Sequence, residues 1–171
     1  KGPTPPLVLE LPPYRLPRVR NTLLQVYDRT ADFVRDAGTV ILAMTVVLWA
    51  LLSFPKPVVT ACGGHAVAMG VFILLCGDHR VGAVGACKIV ANEVAIGLTM
   101  PRTAVELCRL RLTTPAFQRS MLISAPFTPE TALLAGHVTE LVAPEDVSAT
   151  AIATAKQLCA LNMTAFRGTK A

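Results

Sequence analysis

Aromatic residues make up only 5% of this 171-residue chain, and charged residues only 16%. The net charge of +5 is spread evenly, with six bases and four acids up to residue 55 and ten and seven beyond it. A domain that tracks phosphates clusters Arg and Lys on one face with aromatics between them. No nucleic-acid partner is therefore expected. The five cysteines, Cys62, Cys76, Cys87, Cys108 and Cys159, form no C-x-x-C pair, and His65, His79 and His137 show no ligand spacing. A structural zinc site needs four such ligands converging, so no metal is expected and the cysteines read as reduced, buried small hydrophobes. There is no G-x-x-x-x-G-K-[ST] loop to cradle phosphates.

What the chain has in abundance is apolar side chains, 53% of the total. From Gly38 to Phe54 no residue is ionisable, and at about 1.5 Å per residue the run is roughly 25 Å long, the short limit for a bilayer. A buried soluble helix is the alternative, but such helices usually keep one polar stripe, which this run lacks. A transmembrane helix is expected. Pro3, Pro5, Pro6, Pro12, Pro13 and Pro17 make residues 1–17 an extended arm. Between Arg18 and Asp36, Val19, Leu23, Val26, Tyr27, Phe33 and Val34 recur at three- and four-residue steps, which predicts an amphipathic helix. Gly38 permits a break before the apolar helix, and Pro55 stops it. Arg15, Arg18, Arg20, Arg29 and Arg35 all precede the run, the charge bias of a cytoplasmic end.

The run Glu10-Leu11-Pro12-Pro13-Tyr14-Arg15-Leu16-Pro17, the Arg-rich helix, Ala37-Gly38-Thr39-Val40-Ile41-Leu42 and the apolar helix with Trp49 resemble the membrane core of bacterial ferrous iron transport protein B over residues 5–55. The resemblance implies a fragment of a ferrous iron membrane transporter, with membrane association through residues 18–55. A dehydrated cation needs polar groups from several helices, so iron transport by this chain alone is not expected.

After Phe54-Pro55-Lys56-Pro57 the pattern changes. Pro57-Val58-Val59-Thr60-Ala61 reads as a buried strand, Gly63-Gly64 as a sharp turn, and Ala68 to Cys76 as a helix apolar on every side and hence central in a core. Pro101, Pro115 and Pro129 stand where first-turn prolines open helices, two behind the caps Thr114 and Thr128. Gly136 closes one helix, His137 to Val142 alternates as a strand, and a helix from about Glu145 to Leu161 is expected to bury Val147, Ile152, Ala155, Leu158 and Cys159. The division expected is an arm at 1–17, a permease-like helix pair at 18–55 and an α/β domain at 56–171.

Lys56-Pro57-Val58-Val59, Gly64-His65-Ala66-Val67-Ala68-Met69-Gly70, Cys76-Gly77-Asp78-His79-Arg80, Asn92-Glu93-Val94-Ala95-Ile96-Gly97-Leu98 and Phe127-Thr128-Pro129-Glu130 through Gly136-His137-Val138 resemble the crotonase superfamily, the enoyl-CoA hydratase/isomerase group, over residues 56–170. The fold class implied is α/β, a partial crotonase-like ββα spiral preceded by an amphipathic helix and one apolar, transmembrane helix. Such enzymes hold an acyl-CoA thioester so that two backbone amides stabilise its enolate oxygen. By the resemblance Ala68-Met69-Gly70 takes the place of the family's glycine triplet, with the Met69 amide as catalytic donor and Ala68, Gly70 and His65 binding substrate. Glu93 falls at a catalytic glutamate, the general acid or base, while the second hydratase glutamate is replaced by Phe72. A surface glutamate and a packed Gly-rich turn are the bland alternatives. No cofactor is implied beyond coenzyme A as part of the substrate, and the intact parent family implies a homo-oligomer in the cytoplasm or at the inner membrane of a bacterium. The second amide and much of the CoA-binding loop lie upstream of Lys56 in the family, so weak turnover is expected. Asp78 and Arg80 are expected to form a buried structural pair.

Overall fold

A computed structural model describes residues 19–170; the proline-rich arm expected at 1–17 lies outside the described residues. The chain divides into two compact units, residues 1–43 and 44–171. Helix α1 runs unbroken from Val19 to Leu52. Gly38 does not interrupt it, because one glycine inside a long helix costs only about 1 kcal/mol. The helix ends where Ser53 folds its hydroxyl back onto the Trp49 carbonyl at 2.7 Å, just ahead of Pro55.

The transmembrane expectation is not met: among the described residues no helix is long and apolar enough to cross a membrane. The last charged residue is Asp36 and the helix stops at Leu52, leaving about 24 Å against a hydrocarbon layer of about 30 Å. The end of the run has another use. Leu48 is only 4% exposed and belongs to the hydrophobic core of the second unit, with Leu51 and Leu52 packed against the same cluster. The membrane association expected of residues 18–55 loses its basis with the span.

The second unit is a ββα spiral. β1 (Val59–Cys62), β2 (Ala66–Val67) and α2 (Met69–Leu75) make one turn, and β3 (His79–Ala83) and β4 (Ile89–Val90) begin the next. A 3-10 turn (Val94–Ile96) and helices α3 (Arg102–Arg111), α4 (Thr114–Met121) and α5 (Pro129–Ala135) lead to β5 (Glu140–Val142). A second 3-10 turn (Pro144–Asp146), α6 (Val147–Leu158) and α7 (Met163–Lys170) follow. β1, β3 and β5 form a parallel sheet in the order β1-β3-β5, with Val59 opposite His79 and Val81 opposite Glu140. β2 and β4 form a second parallel pair, Ala66 opposite Ile89 and Val67 opposite Val90.

α2 is apolar because most of it is enclosed: Val71, Phe72 and Leu75 are at most 1% exposed, while Gly70 and Ile73 are half-buried. Close approach of the layers is built into the glycines. A Cβ on Gly77 would lie 2.3 Å from the Thr60 hydroxyl oxygen, and one on Gly82 would lie 3.0 Å from both Leu141 and Val138. α5 opens with a reciprocal cap between Thr128 and Thr131 and closes at Gly136, φ 94°, as the sequence predicts. α6 buries Val147 and Ala151 against Val81 and Ala83 and half-buries Ala155 and Leu158, but Ala151 takes the inward place expected of Ile152, which is 58% exposed, and Cys159 lies exposed past the end of the helix.

Candidate active site

The turn from β2 into α2 carries the main conformational feature of the domain. Ala68 has φ 52° and ψ −122°, a left-handed backbone that L residues rarely adopt. Its amide donates to Val90 O at 2.9 Å and its carbonyl accepts the Val71 amide at 3.0 Å. The chain is thereby pinned to β4 on one side and to the first helical turn on the other. Met69 is the first residue of α2, so its N–H has no intrahelical carbonyl behind it. Gly70 faces open space, with nothing within 4 Å of a built Cβ, and lines a cleft of about 240 Å³ with Cys62, Gly64, His65 and Ile73. His65 is exposed; its Nδ1 accepts the Lys88 amide at 3.0 Å, clamping this loop to the approach to β4.

Glu93 lies three residues beyond β4 at the head of the first 3-10 turn. Its carbonyl accepts the Leu98 amide at 2.8 Å, and the Ala95 amide donates to Ser124 Oγ at 3.3 Å. Ser124 also takes a positive φ of 52°, holding the loop after α4 against this turn. Glu93 Oε2 and the neighbouring Asn92 Oδ1 are buried without hydrogen-bond partners. The next residue in the chain, Val94, lines an apolar cavity of about 500 Å³ with Leu98, Met100, Val105, Phe117 and Met121, to which neither Glu93 nor Asn92 contributes lining. On α3, burial and the Glu93 carboxylate push the Cys108 thiol up to about 12.

The pairing of β2 with β4 sends Ala68–Met69 and Asn92–Glu93 out of the same end of the two-stranded sheet. The cleft lined by Gly70 and the cavity lined by Val94 share no lining residue, and His65 faces the loop before β4 rather than the Glu93 turn. Phe72 is sealed in the core at 1% exposure, so no second carboxylate stands opposite Glu93 from that position.

The Asp78–Arg80 pair is corrected. Asp78 accepts from Lys170 Nζ at 2.5 Å, the Val58 amide at 2.9 Å and Arg111 at 3.4 Å, so it ties α7 and α3 to the start of β1. Arg80 instead donates to Gly77 O at 2.8 Å, and its burial lowers its pKa. Sequence reasoning missed two buried partners. His137 is fully buried, with Nε2 3.5 Å from Ser120 Oγ, its ring 4.6 Å from Phe127 and Nδ1 unpartnered. Burial, then the Arg80 charge, lowers its pKa to about 4. Alternation alone placed it in a strand; nothing in its spacing marks the serine on α4.

Comparison with known proteins fits this geometry. The enoyl-CoA hydratase/isomerase family model matches residues 27–171, and that of the ferrous iron transport protein B C terminus matches residues 1–29. A solved probable enoyl-CoA hydratase of Mycobacterium tuberculosis superposes with a TM-score of 0.78 at 45% identity, over 85% of this chain and 61% of its own. The peroxisomal enoyl-CoA delta isomerase 2 of Arabidopsis thaliana is 36% identical over 78 residues, 46% of this chain and 32% of that protein. An Fe(2+) transport protein A/Fe(2+) transporter FeoB fusion protein of Porphyromonas gingivalis is 37% identical over 51 residues, 30% of this chain and 6% of that protein. The chain thus spans less than two thirds of the length of each of these relatives. A parallel ββα spiral, a strained turn into its central helix and a family match over residues 27–171 agree: the chain belongs to the enoyl-CoA hydratase/isomerase family, with a ferrous-iron-transporter-like segment joined at its start.

Proposed function

We propose that the second unit binds an acyl-CoA thioester and moves a proton on its acyl chain, with the Met69 amide at the thioester oxygen and Glu93 as the single acid–base. The observation that carries this reading is the left-handed Ala68, which turns the chain so that α2 starts at Met69 with an uncommitted N–H, at the same sheet end as Glu93. A backbone donor serves whatever its side chain, and the helix terminus favours an anion. Ala68, Gly70 and His65 line the approach on the thioester side. The apolar cavity lined by Val94 suits the acyl tail, and coenzyme A enters only as part of the substrate.

One carboxylate favours isomerisation over hydration. Glu93 takes a proton from C2 of a 3-enoyl thioester, the electrons move into an enolate held by the Met69 amide, and the same proton returns at C4 to give the 2-enoyl thioester. Hydration by paired carboxylates needs a second acid–base to hold the water, and the Phe72 position supplies none. The test compares 3-enoyl-CoA isomerisation with 2-enoyl-CoA hydration by the full chain. Isomerisation should be the faster reaction and should fall about 100- to 10,000-fold in Glu93→Gln, the range for losing a positioned acid–base. Faster hydration, or isomerisation indifferent to Glu93, would contradict the assignment; binding without either conversion would reduce the domain to a CoA-thioester binder.

A further inference from the structure

We propose that the cleft between the end of α1 and α7 binds a small aromatic carboxylate, with its ring on Trp49 and Phe54 and its carboxylate on Arg167. The cleft measures about 460 Å³, within the ordinary range for small-molecule sites, and is lined by Trp49, Leu52, Phe54, Pro55, Arg167 and Lys170. Both walls belong to the second unit, and both are held in place. On one side the Ser53 amide and hydroxyl donate to Trp49 O at 2.9 and 2.7 Å, and Leu52 packs against the core. The aromatic wall therefore starts from a fixed helix end. On the other side Asn162 Oδ1 accepts the Thr164 and Ala165 amides at 3.1 and 3.0 Å, which caps the first turn of α7. Lys170 in its last turn donates to the Lys56 carbonyl at 3.4 Å, which ties α7 to the chain just after Pro55.

The chemistry of the lining selects the ligand. Trp49 and Phe54 are both exposed large side chains, and beside Pro55 they offer flat apolar faces on which an aromatic ring gains contact by stacking. Charge selects the other end of the ligand, because the lining carries two cations and no carboxylate. Of the two, Lys170 is already paired with Asp78, which lines a neighbouring cleft with Arg111 and not this one. Arg167 stands three residues earlier, on the same face of α7. It is exposed, and no ion pair or hydrogen bond engages it among the described residues. A guanidinium with its fork free takes a carboxylate through two parallel N–H···O bonds. A flat acid thus meets both halves of the lining. No residue of this cleft lines the cleft at Gly70 or the cavity at Val94, so the site does not depend on the roles assigned to Met69 and Glu93.

Trp49 is the one tryptophan of the chain, so its emission reports on this cleft directly. The experiment titrates the full chain with naphthalene-2-carboxylate and follows that emission. Quenching should saturate with a Kd on the order of 0.1 to 1 mM, as suits a ligand of this size. Arg167→Gln should weaken binding about 10-fold, the effect of losing a hydrogen bond to a charged group. The neutral naphthalene-2-carboxamide should bind the parent about 10-fold more weakly than the acid does, and should bind parent and variant alike. Matching melting curves for the two proteins check that the exposed substitution leaves the fold intact. Free coenzyme A should not displace the acid. Quenching without saturation, equal binding of acid and amide by the parent, unchanged affinity in Arg167→Gln, or displacement by coenzyme A would overturn the proposal.

Discussion

Ala68 concentrates the strain of the site in one residue. An L side chain at φ 52° is disfavoured, so Ala68→Gly should stabilise the fold by about 1 kcal/mol in urea titrations while leaving the turn intact. Loss of stability in this variant would mean that the alanine methyl contributes packing that outweighs the strain. His137 makes a pH prediction. Its pKa falls from 6.5 to about 4 in the folded state, so the unfolded chain binds the extra proton between these values. Stability is therefore full above about pH 6.5 and is lost as pH falls towards about 4, by about 3 kcal/mol in all. Replacing His137 with Gln should flatten that slope in melting curves between those pH values, whatever it does to the absolute stability. Ala68 to Gly70 and Glu93 were singled out by resemblance to a family's motifs, not by any local pattern of charge or spacing. Sequence reading misplaced Asp78, whose partners Arg111 and Lys170 come from helices 33 and 92 residues away, beyond any local pattern.

At the scale of elements, the end of α1 shows how composition misleads. An uncharged helical run reads alike whether lipid or protein covers it, and length alone is a weak arbiter near the lower limit. Here Leu48 enters the domain core, while Trp49 on the neighbouring face is 69% exposed. Leu48→Ala should cost about 2 to 4 kcal/mol, the range for a buried leucine, and Trp49→Ala less than about 1 kcal/mol. Equal effects in chemical denaturation would refute the assignment of this turn to the core. α5 makes a second element-level test. A Cβ at Gly136 would lie 2.6 Å from the Arg111 carbonyl at φ 94°, so Gly136→Ala should destabilise by about 1 to 3 kcal/mol. The Thr128 cap and this glycine were legible because their chemistry is local, whereas Thr114 is the first residue of α4 and Thr113 precedes it without a side-chain cap bond. The outward turn of Ile152 was not legible, because Ala and Thr around it define an apolar stripe only weakly.

The whole molecule joins segments that match two sequence families. The spiral needs only short parallel strands and one enclosed helix to bring the Met69 and Glu93 segments to one sheet end. Its central helix was legible from the apolar Ala68–Cys76 stretch and its spiral topology only from the family resemblance, whereas the cleft lined by Gly70 and the cavity lined by Val94 depend on side chains meeting across the fold. The most direct test of the central claim labels the five methionines with ¹⁵N and titrates the full chain with octanoyl-CoA. The account predicts that the Met69 amide resonance moves on binding, that Met100 and Met121 respond as the acyl chain enters their cavity, and that free coenzyme A leaves Met69 unmoved. A Met69 amide unmoved at saturation, or moved equally by coenzyme A without a thioester, would contradict it.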